Sequence, residues 1–493
     1  MNYYIGVDLG TSSMKLMLVD SKGKICKSVT EEYSVYYPHS GWSEQNAEDW
    51  WQALAIGVKK LTENIDSALI KGIGVAGQMH GLVVLDEKDN HIRPVILWND
   101  GRTQKQTDYL NEVIGKEKLS LNTANIAFAG FTAPKLLWMK ENEPENFNKI
   151  SKIMLPKDYL NYRLTGIHCT DYSDASGMLT LNVKNKGWSE EMLGICGVSI
   201  AQMPKLFESF EVVGTISPET AEELGLSPET VVVAGAGDNA AAAIGTGTVG
   251  EGKCNISLGT SGTVFISSER FSVDENNALH SFCHADGGFH LMGCILSAAS
   301  CNKWICDEIF KTNDYKTLES NIEAEKLGKN EVFFLPYLMG ERSPINDTNA
   351  TGMFIGIRPY TTREDMHQAV LEGVAFAIRD NLEIAEKLGI NVLESCLCGG
   401  GGKSKLWQKI LCNVLNIKLN IPVFEEGPGY GAVLLAMVGA GEFEDVNQCI
   451  NKFVKIKEIV EPETELVKLY EERYTKYSKI YPSVKNLYKE IKE

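Results

Sequence analysis

The chain has 493 residues, 44% hydrophobic and 23% charged, with a formal net charge of −17. That length exceeds a single hydrophobic core and predicts two large domains or about three smaller ones. The acidic balance disfavours nucleic acid as a partner, and no run approaches the roughly 18 apolar residues of a membrane helix. The N-terminus, MNYYIGVDLG, enters a strand pattern without the marks of a signal peptide, so a cytoplasmic location is the default expectation. The 12 cysteines form no CxxC and read as buried thiols rather than disulfides.

Tyr3–Leu9, Lys15–Val19 and Ile25–Tyr33 have strand character, with a Ser21–Lys24 turn between the last two. Glu48–Leu61 has helical spacing, with Trp51, Leu54, Ala55 and Val58 on one face. Gly72–Ala76 reads as a buried strand, and Val83–Leu85 and Val95–Leu97 as short strands around the Asp89–Asn90 turn. An apolar strand beginning at Val231 meets glycines, then Asp238 and an alanine-rich helix. The glycine-rich stretch Thr248–Gly252 is the candidate boundary, dividing the chain into domains 1–249 and 250–493. Beyond it lie strands at Lys253–Leu258 and Thr263–Ser267 and helices at Ala298–Phe310, Arg363–Leu388 and Lys405–Leu415. A strand ends at Pro422–Val423, a helix covers Gly431–Gly439, and the charged last dozen residues read as a surface helix. Antiparallel strands followed by helix and buried strand predict α/β domains, each a mixed sheet with helices on its faces.

Leu9-Gly10-Thr11-Ser12 recurs as Leu258-Gly259-Thr260-Ser261, each time between two strand-like runs. Such a tip offers small residues and free backbone N–H groups, which suit a phosphate. A strand follows each copy, so neither is the strand–loop–helix of a P-loop. Asp8 precedes the first copy and Ser257 the second. Asp8 can hold hydrated Mg²⁺ at a strand end or cap the amides of its own turn; the second copy favours the phosphate reading. Asp238 can cap its helix or act as general base on an attacking hydroxyl, and the glycines before it favour the base. Gly399–Gly402 with Ser404, between a strand and a helix, suits close approach of a nucleotide.

Gln78-Met79-His80-Gly81 ends the Gly72–Ala76 strand and suggests a small polar ligand, with a core histidine as the bland alternative. Trp98-Asn99-Asp100-Gly101-Arg102 suits sugar hydroxyls or a turn held by its own side chains. Lys157-Asp158-Tyr159 is either a ligand-site wall or an ordinary helix start after Pro156. His280, Cys283, His284, His290 and Cys294 cluster in sequence, but a strand pair would send them to different faces, so a structural role is preferred to zinc.

Together these residues resemble the FGGY family of carbohydrate kinases over nearly the whole chain. Asp8-Leu-Gly-Thr-Ser resembles the first phosphate motif of the actin, hexokinase and heat-shock ATPase superfamily. Phe131-Thr-Ala-Pro-Lys-Leu-Leu-Trp138 resembles the family's first pattern, and Gly352–Gly356 through Asp365–Glu372 its second. Gln78–Gly81, Ile96–Arg102 and His290–Gly293 are similar to the family's xylulose-phosphorylating branch, whereas glycerol-specific members tend to carry Asn-Gln-Arg-Glu where this chain has Gln78–Gly81. Gly429-Tyr430 departs from the pattern, which expects a smaller residue before Gly431.

The resemblance implies two actin-like (ribonuclease H-like) domains with mixed five-stranded sheets and a cleft between them, the sugar mostly on the first and ATP mostly on the second. It implies ATP and Mg²⁺ as cofactors, with Asp8 as metal acid, acting through water, and Asp238 as base. The sugar contacts would fall on Met79, His80, Asp238 and Asn239, with Trp98 beside them. Phosphate contacts would fall on Gly10, Thr11, Ser12, Gly259 and Thr260, and the adenine side would include Gly401, Gly402 and Ser404. The expected reaction is D-xylulose to D-xylulose 5-phosphate. The competing expectations are a kinase for ribulose or an erythritol-like polyol, an ATP-driven switch like the heat-shock relatives, and a sugar sensor without catalysis. A homodimer is an expectation by analogy alone.

Overall fold

The first sheet is built around a strand whose residues are almost all buried. In the computed structural model, which describes residues 1–423 and 427–492, that strand is β1 (Tyr3–Leu9). It belongs to the first of two units, made of residues 1–249, 281–290 and 427–454; the second comprises 250–280, 291–423 and 455–492. Strands β2 (Ser13–Asp20) and β3 (Ile25–Glu32) continue from β1 as an antiparallel meander. On the other side of β1 lies β4 (Ile70–Gly77), parallel to it. Further out come β5 (Val212–Thr215), β6 (Val231–Val233) and β7 (Ala236–Gly237). The spatial order is β5-β6-β4-β1-β2-β3, with β7 also paired to β4.

The second unit repeats this plan. β8 (Lys253–Leu258) and β9 (Gly262–Ser268) form its hairpin, and β10 (Phe289–Ile295), β11 (Glu394–Cys398), β12 (Lys418–Pro422) and β13 (Ile456–Val460) follow in the order β10-β9-β8-β11-β12-β13, with the strand His280–Cys283 paired to the outer side of β10. The β3-β2-β1-β4-β6 order of the first sheet therefore recurs as β10-β9-β8-β11-β12, which is the duplication the tetrapeptide repeat announced. Each sheet holds seven strands where five were expected. The surplus lies at the margins: β5 and β13 are antiparallel edge strands, His280–Cys283 is the opposite edge of the second sheet, and β7 extends the line of β6.

Helices cover both sheets for reasons visible in sequence. The Ala47–Thr62 helix begins at Asn46, which accepts from the Glu48 amide, and buries Trp50, Leu54, Val58 and Leu61 against the first sheet. The Arg363–Lys387 helix opens with a capping box between Thr362 and Asp365. The Gly427–Gly439 helix is paved with small residues and lies close on β1 and β4. A Cβ at Gly6 would sit 2.2 Å from the Gly429 carbonyl oxygen, and one at Gly74 only 2.1 Å from that of Ala432. Glycine is thus required on the sheet because a helix backbone rests there. Tyr430, the unexpected large residue, is buried and donates through its hydroxyl to the Gly23 carbonyl 3.0 Å away. It pins this helix to the β2–β3 turn.

Among the described residues no helix is long and apolar enough to cross a membrane. No cluster of three or more His, Cys, Asp or Glu side chains among them is arranged to hold a metal ion. His280–Cys283 and Phe289–Ile295 are indeed strands, and the His284 ring is tied through Nε2 to the Thr248 carbonyl at 2.8 Å.

Candidate active site

The first hairpin tip, Gly10–Ser13, is held from within through its carbonyls. The Tyr33 hydroxyl donates to the Gly10 oxygen at 2.6 Å, Gln45 Nε2 to the Thr11 oxygen at 2.6 Å, and the Tyr33 amide to the Ser12 oxygen at 3.2 Å. With its carbonyls drawn inward, the tip leaves the Thr11 and Ser12 amides without a hydrogen bond among the described residues. This is the arrangement an anion needs. The Gly10 amide instead closes the turn onto the Ser13 and Asp8 oxygens, at 3.0 and 3.2 Å, so Gly10 supplies shape and no donor. Asp8 stands at the end of β1, two residues before the tip, partly exposed.

Asp238 is the first residue of the Asp238–Gly245 helix, with Gly237 as its cap. Its Oδ1 accepts from the Asn239 amide at 2.7 Å and from Asn239 Nδ2 at 2.9 Å, and among the described residues none donates to Oδ2. The side chain is largely buried yet reachable by solvent. Burial first, and the nearby Asp8 charge second, push its carboxyl up to about 7, outweighing the two bonds from Asn239. Two acids chosen from distant parts of the sequence thus act on each other within one unit.

Met79 and His80 reach the same place. A Cβ on Gly237 would come within 3.0 Å of the Met79 sulfur, so Met79 packs at the root of Asp238. Gly177 lies under the His80 ring, and its carbonyl meets His80 Nδ1 at 2.9 Å. A carbonyl there accepts from a proton on Nδ1. Phe131 stacks on the imidazole with centroids 4.6 Å apart. Trp98 is 47% exposed, and its Nε1 donates to Thr11 Oγ1 at 3.0 Å, which joins the Trp98 loop to the phosphate hairpin. The loop itself is held by Asp100, which accepts from Arg102 and from the Ser43 amide, with Arg102 lying 3.6 Å over Trp42.

Lys157 forms no wall of this site. It is fully buried, with Nζ 2.6 Å from Asp158, 2.9 Å from Asp171 and 3.8 Å from Asp174. Burial opposes its charge, but the three carboxylates hold the amine above the usual lysine range. Burial also pushes the Asp174 carboxyl well up. Asp171 Oδ2 accepts from the Ser173 hydroxyl, which in turn accepts from the Gly237 amide at 3.2 Å, so this buried cluster anchors the strand end that carries Asp238.

The second unit offers a pocket of about 680 Å³ lined by Thr260, Ser300, Tyr315, Glu319, Gly401 and Ser404, among others. Its hairpin tip is held like the first: the Gly259 oxygen accepts from the Ala299 amide, and that of Thr260 from Ala298 and Ser300. The Thr260 and Ser261 amides make no hydrogen bond among the described residues. Ser404 caps the Lys405–Leu415 helix by accepting from the Trp407 amide at 3.0 Å and donates to Glu319 at 2.7 Å. Burial raises the Glu319 carboxyl. Gly402 lies behind the pocket, buried against Leu397, with its carbonyl taken by Gln408. Sequence reasoning gave no role to Gln45, Lys135, Glu319 and Tyr315. Lys135 lay within the Phe131–Trp138 pattern and Gln45 bonds Gln78 of the Gln78–Gly81 motif at 2.9 Å, but nothing local marked Glu319 or Tyr315.

The family model described as the N-terminal domain of the FGGY family of carbohydrate kinases matches residues 3–245, and its C-terminal counterpart matches 254–440. A xylulose kinase of Escherichia coli (strain K12) is 38% identical over 480 residues, covering 97% of this chain and 98% of the relative. A solved structure described as a "xyloylose kinase" from Brucella ovis superimposes with a TM-score of 0.93 at 38% identity, over 99% of this chain and 100% of that one. The gluconate kinase of Lactobacillus acidophilus superimposes with a TM-score of 0.94 at 26% identity, over 99% of both chains.

Proposed function

This chain belongs to the FGGY family of carbohydrate kinases, which phosphorylate sugars with ATP, and from that premise we propose that its substrate is D-xylulose and its product D-xylulose 5-phosphate. The observation that carries the reading is Asp238: an acid at a helix start, with one oxygen fixed by Asn239 and a carboxyl raised to about 7. A base poised near working pH is what an attacking hydroxyl requires. In this reading Asp238 takes the proton of the sugar's terminal hydroxyl as that oxygen bonds the γ-phosphorus of ATP and the bond from that phosphorus to the β–γ bridging oxygen breaks, releasing ADP. Phosphoryl transfer asks the protein chiefly for position and charge neutralisation.

Met79, His80, Trp98 and Asn239 hold the sugar beside that base, with His80 Nε2 accepting from a sugar hydroxyl. Thr11, Ser12 and Thr260 donate backbone N–H groups to phosphate oxygens, and Gly401 and Ser404 border the nucleoside. Mg²⁺ would supply neutralisation of the phosphate charge. Asp8, a partly exposed carboxylate beside outward-facing amides, fits a hydrated divalent ion held through water.

The likeness to a gluconate kinase is a reason to test the sugar directly, since one fold serves more than one acceptor. A coupled assay of ADP release with ATP–Mg²⁺ over ketoses, aldoses, polyols and gluconate should give D-xylulose the highest kcat/KM. A higher value for ribulose, an erythritol-like polyol or gluconate overturns the assigned substrate. ADP release that ignores every sugar favours an ATP-driven switch.

A further inference from the structure

His80 occupies a strained turn. Its φ is +69°, in the left-handed region, and the Gly81 amide donates to the Met79 carbonyl across it at 2.9 Å. A three-residue turn of that hand is rare for a residue with a side chain, and it persists only where its surroundings over-determine it. Two groups of the Thr132–Asn142 helix do so. Thr132 Oγ1 donates to the His80 carbonyl at 3.1 Å, and Lys135 Nζ donates to the same oxygen at 2.7 Å.

Lys135 is itself fully buried and makes a second bond, to the Gly130 carbonyl at 2.7 Å. Gly130 lies directly beneath the Trp98 backbone, where a Cβ would come within 2.3 Å of the Trp98 oxygen. One amine therefore ties the peptide of His80 to the peptide that supports Trp98. Burial pushes that amine well below the usual lysine range, and both of its hydrogen bonds go to backbone carbonyls.

We propose that Lys135 is a positioning residue for the sugar site, clamping the His80 turn and the Gly130 support of Trp98 in register so that His80 Nε2 and the Trp98 ring face one ligand. This inference rests on the reading of His80 and Trp98 as sugar contacts. Lys135 touches no substrate; it acts through the two carbonyls. A lysine that served stability alone would lower the melting temperature and the active fraction without changing the affinity of the folded enzyme for its sugar.

The test is steady-state kinetics of the full-length enzyme with D-xylulose and ATP for Lys135→Met, Thr132→Val, Thr132→Ser and His80→Ala. Lys135→Met should raise the KM for the sugar about tenfold, with the KM for ATP unchanged and kcat reduced less than the KM is raised. Thr132→Val should raise the sugar KM by about two- to fivefold, and Thr132→Ser, which keeps the hydroxyl, should restore it. If Lys135→Met does not fold, the Thr132 pair carries the test. An unchanged sugar KM in a folded Lys135→Met, or an equal rise for ATP, overturns the clamp. If His80→Ala raises the sugar KM while Lys135→Met and Thr132→Val leave it alone, the clamp fails and the sugar reading stands. If His80→Ala leaves the sugar KM unchanged, the sugar reading fails and takes the clamp with it.

Discussion

The two hairpins share a plan and differ in detail. Four residues separate the last paired positions Leu9 and Met14 in the first, and three separate Leu258 and Gly262 in the second. Both turn their tip carbonyls inward and their amides outward. Beside the first tip stands a carboxylate, Asp8, and a second acid whose ionisation it opposes. Beside the second stands Ser257, and next to it a pocket edged with glycines and a capped helix. Equivalent backbones therefore leave equivalent pairs of unbonded amides, and in the proposed function the residue just before the tip would separate the half that does chemistry from the half that holds the nucleotide. On that proposal the cradle belongs to the topology and the catalytic role to single side chains.

The hardest test of that division is Asp238→Asn, which keeps the shape and removes the base. The substitution should lower kcat by about 10³-fold, with little change in either KM. The same variant should be more stable than the parent in alkaline solution. A carboxyl raised from the ordinary 3.8 to about 7 by folding is favoured protonated in the native state. The native state then binds more protons than the unfolded chain between those pH values, so stability falls across that interval. Asp238→Asn should raise the melting temperature at pH 8 and leave it unchanged near pH 4; a lowered value at pH 8 would contradict the burial argument.

Asp8→Ser makes the first hairpin like the second. A loss of about 10²-fold in kcat and a higher Mg²⁺ requirement, read by ADP release across a metal titration, are expected. Asp8→Asn should also shift the pH profile. The parent's kcat/KM should climb through about pH 7 as Asp238 loses its proton and level off above that. Without the neighbouring negative charge the climb should move to lower pH, by about half a unit to one unit. An unmoved limb would mean that Asp238 is not the group being titrated.

The reciprocal change, Ser257→Asp, puts a carboxylate where phosphate oxygens are proposed to lie. The KM for ATP should rise about tenfold with that for the sugar unchanged. A drop in the ATP KM would show that the second cradle tolerates an acid, and the division above would lose its electrostatic basis. Ser404→Ala should act least. It removes a helix cap and a bond to Glu319, so the KM for ATP should rise by about threefold with a melting temperature lower by about 1–3 °C, measured by calorimetry.

Much of this was legible in the sequence wherever a local pattern carries the information. The Lys405–Leu415 helix lies at its expected bounds because Ser404 caps it and its apolar face is strongly periodic. The β1–β2 hairpin was readable for the same reason. Val83–Leu85 and Val95–Ile96 are strands, and their arms meet antiparallel across the Asp89–Asn90 turn through the Leu82–Ile96 and Leu85–His91 bridges, but their longer ladders run elsewhere. Val83–Leu85 pairs with Lys152–Met154 and Val95–Ile96 with Glu44–Gln45, and such distant partners leave no local trace. Buried charges were opaque for a related cause. Lys157 read as a ligand-site wall or an ordinary helix start and Lys135 only as part of a pattern; the carbonyls and carboxylates that let both be interior come from the fold. Gly402 looked equal to Gly401, yet Gly401 lines the pocket and the next residue, Gly402, packs against Leu397.

The Gly427–Gly439 helix carries a consequence for how the chain matures. It fills the space beneath Gly6 and Gly74, near the start of the chain, but leaves the ribosome only after the whole second sheet except β13 has been made. During synthesis the early strands must therefore wait, with a bare glycine-lined trough, for a piece delivered some 350 residues after β4 ends at Gly77. A fragment ending at Val249 would be born without its own keel, however complete its borders look along the sequence.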